Sequence, residues 1–359
     1  METRQVFDHL ARVHAAGTPA ALATVVRVNG SAYRHEGAKL LVTRDGSSTG
    51  NVSGGCLEAD VREVGQRVIQ TGICELRTYC GGSDEVAAWD LGVGCDGEVE
   101  ILIEPVTSPR MHERAALCAE DPYVAVTLLR DATERGEAPR AVLTQAGRFG
   151  SLGDTALDDG VTAHAAMWLR GGESRQVMLG DARLHVDVLV APPRLAVVSA
   201  GDDARVVSRL AAEVGFRVVV VDRRPALLSA ERFPDAVRRV ESDAARLGER
   251  IVLDDASFAV VMTHDYADDV AYVRALLRTP VRYVGVLGPR QRTERIVAAL
   301  EREGPLDRDR IYGPVGLDIG TDGAEQVALS VVAELLAVRS GRRPQSLRDR
   351  RAPIHVTDA

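Results

Sequence analysis

Long apolar runs are missing from this sequence, and aromatic residues make up only 4% of its 359 residues. The apolar runs are short, as at 258–262, whereas a membrane-spanning helix requires roughly 18 residues. Residues 1–14 carry scattered charge and no apolar core, so they do not resemble a secretion signal. We therefore expect a soluble, cytoplasmic protein without membrane association.

Basic residues are fewer than acidic ones, 44 against 52, so the formal net charge is −8. The basic residues are almost all arginine, and Lys39 is the only lysine. An acidic protein has no general electrostatic attraction for nucleic acid. Nucleic acid is therefore not expected as a partner.

The cysteines form no C-x-x-C pair, so no structural zinc site is expected. They are Cys56, Cys74, Cys80, Cys95 and Cys118. An odd number of cysteines without a secretion signal is typical of a reducing compartment and not of a disulfide scaffold.

The length predicts two domains, and the pair Pro192-Pro193 separates two segments of different pattern. We assign residues 1–192 to an N-terminal domain and residues 193–340 to a C-terminal domain. Residues 341–359, rich in arginine, proline and aspartate, are expected to form a loose tail.

Short strands and one clear helix are predicted in the first half. The helix begins at Leu57, where apolar residues recur every three or four positions, and ends near Gly72. The predicted strands are 20–28, 39–43, 75–79, 87–91 and 98–104. The segment 106–192 is less regular, with a predicted helix at 111–119, a strand at 123–129 and further strands to its end.

Apolar runs alternate with helical patterns in the second half, which is typical of a parallel sheet covered by helices on both faces. The predicted strands are 195–199, 218–222, 257–262 and 283–287, and the predicted helices include 204–214 and 324–338. The fold class is therefore α/β: a small N-terminal α+β domain followed by a Rossmann-type, doubly wound parallel-sheet domain.

The turn at 199–204 (SAGDDA) lies where a dinucleotide fingerprint has Gly-x-Gly-x-x-Gly or Ala. Gly201 and Ala204 fit this pattern, whereas Ser199 replaces the glycine that normally permits the tight turn. Asp222 ends the second strand, near the spacing expected of a ribose-binding acid. The strand–helix–strand unit is thus well supported and its dinucleotide site only in part.

Two acids stand at the start of the helix that follows this turn, Asp202 and Asp203. A pyrophosphate there requires amide donors and a positive field, so these charges oppose NAD(P) binding. Alternatively, one of them simply caps the helix. A plain structural Rossmann turn therefore stays open beside a ligand site.

Three polar loops fall at the carboxyl ends of predicted strands, where parallel sheets bind ligands. They are 263–266, 288–292 and 313–320. Together they offer the titratable pair His264 and Asp265, two arginines for an anionic group, and a glycine-rich turn. The alternative is that they are ordinary solvated loops.

Cys56 directly follows Gly54-Gly55 and opens a helix. The partial positive charge of a helix start favours a thiolate, which acts as a nucleophile or binds a soft metal. Cys95 lies similarly among glycines, at 92–97. The alternative for both is a small apolar side chain in the core, a common role for free cysteine.

In order and spacing, these motifs resemble the XdhC/CoxI family, accessory proteins of xanthine dehydrogenase and related molybdenum hydroxylases. The resemblance covers about residues 5–340, and its motifs are 30–34, 37–39, 52–58 (VSGGCLE), 217–222, 262–265 (MTHD), 285–288 with Arg290, and 316–320 (GLDIG). The chain departs from the family pattern at Tyr33, Asp96, Ser199 and Asp202.

The resemblance implies a carrier of the molybdenum cofactor in its molybdopterin form. Such a protein binds the cofactor, holds it while the sulfido ligand is installed, and helps to insert it into the apo-enzyme. The implied partners are an apo molybdenum hydroxylase of the xanthine dehydrogenase type and a cysteine desulfurase, and a homo-oligomer is expected. This is a chaperone and not a turnover enzyme.

On this interpretation, Cys56 coordinates the molybdenum of the bound cofactor. The amides that follow Gly54, those of Gly55, Cys56 and Leu57, hold anionic oxygens. Arg34 lies near them in the family arrangement and assists.

In the second domain, Arg290 and Arg292 are implied to bind the pterin phosphate, because arginine offers forked donors. His264 and Asp265 contact the pterin or assist proton movement. The remaining cofactor-binding candidates are Cys95, Gly201, Asp222 and Asp318.

Two other functions stay open. In a nicotinamide-dependent oxidoreductase, NAD(P) would lie on the second domain; Asp222 favours this, whereas Ser199 and the two aspartates disfavour it. A dinucleotide-binding regulator without catalytic chemistry would use the same site. The fold alone does not decide between them.

Overall fold

The computed structural model describes residues 2–30, 32–80, 98–119, 121–130 and 135–351. The chain divides into two compact units, one extending to Ala191 and the other comprising Pro192–Arg351. Within these ranges, no helix combines the length and the apolar character needed to cross a membrane. The predicted strand at 87–91 and the Cys95 loop lie outside the described residues.

An antiparallel sheet in the order β3-β2-β1-β5-β4 forms the first part of unit 1. Its strands are β1 (Ala20–Asn29), β2 (Lys39–Thr43), β3 (Ser48–Gly50), β4 (Glu75–Cys80) and β5 (Glu98–Pro105). Helix α1 (Glu2–Ala15) precedes β1 in the chain, and helix α2 (Glu58–Thr71) follows β3. The predicted strands at 20–28, 39–43, 75–79 and 98–104 are confirmed to within one residue at each end.

Helix α2 packs its apolar face on this sheet. Val61, Val64 and Val68 are buried there in one core with strand residues such as Ile101. The helix ends as predicted at Gly72, which adopts φ 67° and donates its N–H to the Val68 carbonyl. A left-handed residue at this position favours glycine, because other residues pay a steric penalty.

The less regular segment forms a second antiparallel sheet in the order β8-β7-β6-β10-β9. Its strands are β6 (Tyr123–Leu129), β7 (Arg140–Thr144), β8 (Gly147–Ser151), β9 (Arg175–Leu179) and β10 (Ala182–Leu189). Helix α3 (Met111–Ala119) and strand β6 lie where they were predicted.

Among the described residues of unit 1, two helices are missing from the sequence-based prediction. Helix α4 (Thr155–Gly171) lies within a segment predicted to hold only strands, and that prediction is wrong. Its buried or partly buried residues Leu157, Val161, Ala165, Trp168 and Leu169 do recur at helical spacing, but small and polar residues fill the positions between them. In α1 the buried positions Val6, Phe7, Leu10 and Val13 do show helical spacing, which was the available signal.

Unit 2 is built on a parallel sheet in the order β13-β12-β11-β14-β15-β16. Its strands are β11 (Arg194–Val198), β12 (Arg217–Asp222), β13 (Arg238–Glu241), β14 (Phe258–Val261), β15 (Tyr283–Val286) and β16 (Ile311–Tyr312). Its helices are α5 (Asp202–Glu213), α6 (Leu247–Arg250), α7 (Tyr266–Leu277), α8 (Arg290–Glu301) and α9 (Ala324–Arg339). The predicted α/β class with a Rossmann-type domain is confirmed.

Helices cover both faces of this sheet, which is why its strands are continuous apolar runs. Along β11, Leu195 and Val197 lie in the core shared with α5 and α9. The alternate residues Ala196 and Val198 lie in the core shared with α7 and α8. Strands β11 and β14 are neighbours, although β12 and β13 separate them in the chain, so the switch point of this sheet lies between their carboxyl ends.

Candidate functional site

The Cys56 thiol lies on a tight glycine turn just before α2. Gly55 has φ 114°, a conformation that side chains rarely adopt, so glycine is required there. The Cys56 side chain is half-buried, and its Sγ lies 3.6 Å from the hydroxyl oxygen of Ser53. The turn thus presents one partly accessible sulfur at a helix start.

Ser53 fixes this turn from the inside. Its Oγ accepts N–H groups from Gly55 and Leu57, each at 3.1 Å, and donates to Glu58 at 2.5 Å. Glu58 also accepts the Ser53 N–H at 2.8 Å. Burial alone would raise the pKa of Glu58, but its hydrogen bonds from Ser53 bring the pKa below the usual value.

These bonds correct one expectation from the sequence. The N–H groups of Gly55 and Leu57 are bonded within the turn, so they do not point to a ligand oxygen in this conformation. Ser53 was not among the predicted site residues. Its signal was its place before Gly54-Gly55, since serine commonly bonds to backbone N–H groups near a helix start.

Arg34 lies beside the same turn. Its guanidinium donates to both carboxylate oxygens of Glu2, at 2.8 and 2.6 Å, and to the side chain of Asn51. The ring of Tyr33 packs against Gly54, where an added Cβ would meet the ring at 3.3 Å. The structure therefore brings Arg34 close to the cysteine turn, with its charge already paired.

The other described cysteines differ in their surroundings. Cys74 is buried, and burial raises the pKa of its thiol to about 12. Cys80 and Cys118 are exposed. Within the described ranges, no group of three or more His, Cys, Asp or Glu side chains could hold a metal ion.

In unit 2, a cavity of about 220 Å³ lies at the carboxyl ends of β11, β12 and β14. Ser199, Asp222, Thr263 and His264 line it. This is the switch point of the sheet, where open α/β folds bind their ligands. The structure thus brings together residues that are far apart in the sequence.

Two of the residues in this cavity hold unusual backbone conformations. Ser199 has φ 153° and His264 has φ 63°. Such conformations cost of order 1–3 kcal/mol and tend to cluster at functional sites. Ser199 Oγ accepts the Gly201 N–H at 3.1 Å, so the hydroxyl helps to hold the turn that glycine would normally form.

Asp222, the predicted ribose ligand, is engaged within the unit. Its carboxylate accepts the Ala200 N–H at 2.7 Å, the Arg224 N–H at 2.8 Å and two guanidinium N–H groups of Arg224 at 2.9 Å. Burial raises the pKa of Asp222, but these bonds from Arg224 and Ala200 bring it below its usual range. Asp222 therefore positions the turn, and Arg224 is a site residue that the sequence analysis missed.

The two acids at the start of α5 each lie beside a basic side chain. Asp202 accepts from Arg232 at 3.0 Å, and this bond lowers the pKa of its carboxyl. Asp203 lies 3.5 Å from the imidazole of His264. Neither side chain caps α5, because its N-cap residue is Gly201 without a side-chain bond.

Asp265 and Arg292 hold the loops of this site in place. Asp265 caps α7 by accepting the Asp268 N–H at 3.0 Å, which lowers the pKa of its carboxyl. The guanidinium of Arg292 donates to the buried carboxylate of Asp269 at 2.8 and 2.6 Å. Asp269 in turn accepts the Thr263 hydroxyl at 2.5 Å, so it ties this arginine to the His264 loop.

The remaining predicted residues are on the surface. Arg290 is exposed at the first position of α8, and Asp318 is exposed in the glycine-rich loop. Neither lines the cavity at the switch point. Fewer residues of unit 2 are therefore available to a ligand than the sequence predicted, because Asp222, Asp265 and Arg292 are already bonded within the unit.

The fold and these sites define a class of protein: a Rossmann-type domain that follows an antiparallel unit bearing a thiol on a glycine turn. Residues 195–335 match the family model of the XdhC Rossmann domain, and residues 13–79 match that of the XdhC and CoxI family. The chain belongs to the XdhC and CoxI family, as its motifs predicted.

Relatives resemble the chain over most of its length. A Bacillus subtilis protein named as a probable xanthine dehydrogenase subunit is 31% identical over 326 residues, 89% of this chain and 93% of the relative. The molybdenum cofactor insertion chaperone PaoD of Escherichia coli is 25% identical over 330 residues, 90% and 84% of the two chains. A crystal structure of a xanthine dehydrogenase from Bacillus halodurans matches with a TM-score of 0.77 at 30% identity, covering 96% and 97%.

Proposed function

We propose that this chain is an accessory protein that carries the molybdenum cofactor as its cargo. It binds the molybdopterin form, holds it while the sulfido ligand is installed, and inserts it into an apo molybdenum hydroxylase of the xanthine dehydrogenase type. Membership of the family supports this proposal, as does the similarity to a relative named for cofactor insertion. The proposal includes a cysteine desulfurase as sulfur donor, a homo-oligomeric state and a cytoplasmic location.

The observation that carries the proposal is the position of Cys56. Its sulfur is half-buried on a turn that Gly55 and Ser53 fix, directly before α2. A soft sulfur ligand suits molybdenum or the sulfur atoms of its cofactor. A turn that is already ordered binds without losing further backbone entropy. The donor set of unit 1 therefore fits this cargo.

In unit 2, fewer residues are proposed to contact the cargo than the sequence suggested. His264 is exposed beside the cavity at the switch point and is proposed to hydrogen-bond the cargo. Arg290, exposed at the start of α8, is proposed to bind its phosphate. Asp265 and Arg292 are proposed to position these loops, because their side chains already cap α7 and bind Asp269.

Cargo binding is tested with the full chain and cofactor freshly released from a molybdenum enzyme, without oxygen. The protein is desalted after mixing, and its molybdenum content and the fluorescence of the oxidised pterin are measured. We expect the wild type to retain both and the Cys56→Ser variant to retain much less. A hydroxyl is as small as a thiol, so the fold is expected to persist, but it does not bind a soft metal comparably.

The matched control is Cys118→Ser, which removes an exposed thiol from α3. It should retain cofactor like the wild type, and circular dichroism should show all three proteins folded. Equal retention by Cys56→Ser would remove Cys56 from the site. A second measurement follows the activity of an apo-hydroxylase after mixing with each loaded protein, since binding without transfer would contradict the insertion step.

A further inference from the structure

A polar cavity of about 290 Å³ lies within unit 1, beside the segment that leads to the cysteine turn. Its lining comes from the start of α1, the loop 33–38, the start of β2, and strands β6 and β10 of the second sheet. Tyr33 lines it, and the ring of Tyr33 also packs on Gly54, two residues before Cys56. Because small-molecule pockets measure about 300–1,000 Å³, this cavity suits one ring system and not a dinucleotide.

The hydroxyl of Tyr123 is the first of two hydrogen-bond donors in the wall of this cavity. Only 1% of Tyr123 is exposed, and its ring packs with Phe7 and Leu117 in the core. Within the described ranges its hydroxyl makes no hydrogen bond, and, unlike the ring nitrogens of His185, it is not sealed from solvent. Since Tyr123 lines the cavity, this hydroxyl is open to it. Burial raises the pKa of Tyr123, and the nearby carboxylate of Asp187 adds to the effect, so the phenol stays protonated and remains a donor.

The ammonium group of Lys39 is the second donor. The Lys39 side chain lines the cavity and is 6% exposed. Its Nζ donates to the Gly37 carbonyl at 3.0 Å and to the Asp187 carboxylate at 2.6 Å. An ammonium carries three N–H groups, so one of them has no partner in the part of the chain that the structure describes. Buried donors without an acceptor are costly, so Tyr123 and Lys39 both favour a ligand that brings an acceptor oxygen.

The charges of the lining oppose an anionic ligand. Arg34 is already paired with Glu2, whose carboxylate accepts its guanidinium at 2.8 and 2.6 Å, and Lys39 is paired with Asp187. Glu36 lines the cavity as well, so the carboxylates outnumber these two cations. A phosphate would therefore meet more negative than positive charge. A neutral carbonyl oxygen accepts from both donors without this repulsion.

The Asp187 carboxylate beside these donors favours an N–H group next to that carbonyl. One of its oxygens accepts from Ser174 at 3.1 Å and the other from Lys39. Each carboxylate oxygen has two lone pairs, so Asp187 can accept a further N–H from a ligand. The loop 33–38 packs closely here, because a Cβ on Gly37 would meet Asp187 Oδ1 at 2.7 Å. A lactam, in which an N–H adjoins a carbonyl, complements this pairing of donors and acceptor.

We propose that this cavity binds the lactam edge of a planar heterocycle, whose carbonyl accepts from Tyr123 and Lys39 and whose N–H donates to Asp187. The ring of Tyr33 is 66% exposed and offers an aromatic face on which the heterocycle stacks. In the cargo this group is the pterin, an assignment that rests on the proposed function. Tyr123 and Tyr33 are then specificity-determining residues that select the pterin beside the cysteine turn.

Binding is tested by equilibrium dialysis of the full chain against free pterin, whose fluorescence measures its concentration. We expect the wild type to bind pterin and Tyr123→Phe to bind it about tenfold more weakly. Tyr33→Ala should weaken binding as well, because it removes the stacking face. Loss of an unpartnered hydroxyl should leave the fold intact, which urea unfolding of Tyr123→Phe checks. N3-methylpterin, which lacks the lactam N–H, should bind the wild type about tenfold more weakly than pterin does, a comparison that needs no variant.

The matched control is Tyr79→Phe. Tyr79 is the remaining tyrosine of unit 1, and its hydroxyl bonds to Asp60 at 2.5 Å, but it does not line the cavity. This variant should bind pterin like the wild type. Three results would each overturn the proposal: no binding by the wild type at the solubility limit of pterin, undiminished binding by Tyr123→Phe, or equal weakening in the control.

Hypoxanthine carries the same lactam and distinguishes a free purine from the cargo as the source of the heterocycle. Pterin should bind more tightly than hypoxanthine, and the reverse order would overturn the assignment to the cargo. Protein loaded with the molybdenum cofactor should no longer bind free pterin, whereas unchanged binding would also overturn that assignment. A chain that binds pterin through Tyr123 but retains no molybdenum would support the lactam site and contradict the proposed function, so the two failures are distinguishable.

Discussion

Lys39, the only lysine of the chain, forms an ion pair of 2.6 Å with Asp187, which lies 148 residues away in the sequence. Lys39 belongs to β2 and Asp187 to β10, so the pair joins the two antiparallel sheets of unit 1. Burial alone would raise the pKa of Asp187, but the ammonium of Lys39 brings it below its usual value. Both side chains are largely buried, at 6% and 15% exposure.

Loss of one partner of this pair is expected to destabilise unit 1 strongly. Lys39→Met leaves the Asp187 carboxylate buried without its counter-charge, and such changes cost about 3–5 kcal/mol. Urea unfolding followed by fluorescence measures the change. The double variant with Asp187→Leu should recover part of the loss, because it removes both charges. A double variant that is less stable than Lys39→Met would show that the pair is not the cause.

His185 is expected to make stability depend on pH. Burial lowers the pKa of its imidazole from 6.5 to about 4. The unfolded chain therefore binds a proton that the folded chain does not between these values, so stability falls as pH falls through this window. The contribution is about 2 kcal/mol between pH 8 and pH 5.

This pH effect is measured by urea unfolding at pH 8 and pH 5, with fluorescence of Trp168, which is buried in the core of the same sheet. His185→Leu should reduce the loss of stability on acidification by about 2 kcal/mol. The exposed residue His112 supplies the control, and His112→Gln should behave like the wild type. An unchanged pH dependence in His185→Leu would contradict the assignment.

The conformation of Ser199 predicts an unusual order of variants. At φ 153° a Cβ is strained, so Ser199→Gly should be more stable than Ser199→Ala by about 1–2 kcal/mol. Both variants lack the hydroxyl, so their difference isolates the backbone. Ser208, inside α5, gives the opposite order, because alanine there exceeds glycine by about 1 kcal/mol. Thermal or urea unfolding measures all four variants, and the same order at both positions would refute the strain at Ser199.

NAD and NADH are expected to bind weakly, and no nicotinamide-dependent turnover is expected. The Asp222 carboxylate that would take the ribose is already bonded to Ala200 and Arg224. A pyrophosphate would also meet the charge of Asp202 at the start of α5. Calorimetry with the wild type and with the double variant Asp202→Gly, Ser199→Gly measures this. The double variant should bind no more weakly than the wild type. Micromolar binding by the wild type would contradict the prediction and favour an oxidoreductase.

Much of the local structure was predictable from the sequence. The strands of unit 2 are short apolar runs between helical patterns, and α2 shows both its periodicity and its terminal Gly72, so neighbouring residues carry these signals. Helix α4 has the same kind of periodic signal, at Leu157, Val161 and Trp168 among others, but the small and polar residues between these positions obscure it.

The residues of the candidate site also differ in how far the sequence predicts them. The sequence by itself determined the family, and it singled out Cys56, His264 and Arg290 as candidates, because these inferences depend on residue order. Only the tertiary structure decided which of the charged groups are already paired: Arg34 with Glu2, Arg292 with Asp269, and Asp222 with Arg224. Whether a side chain is available to a ligand or pairs within its own chain depends on which elements pack together. For Arg34 and Arg292, the neighbouring residues in the sequence do not indicate which elements those are.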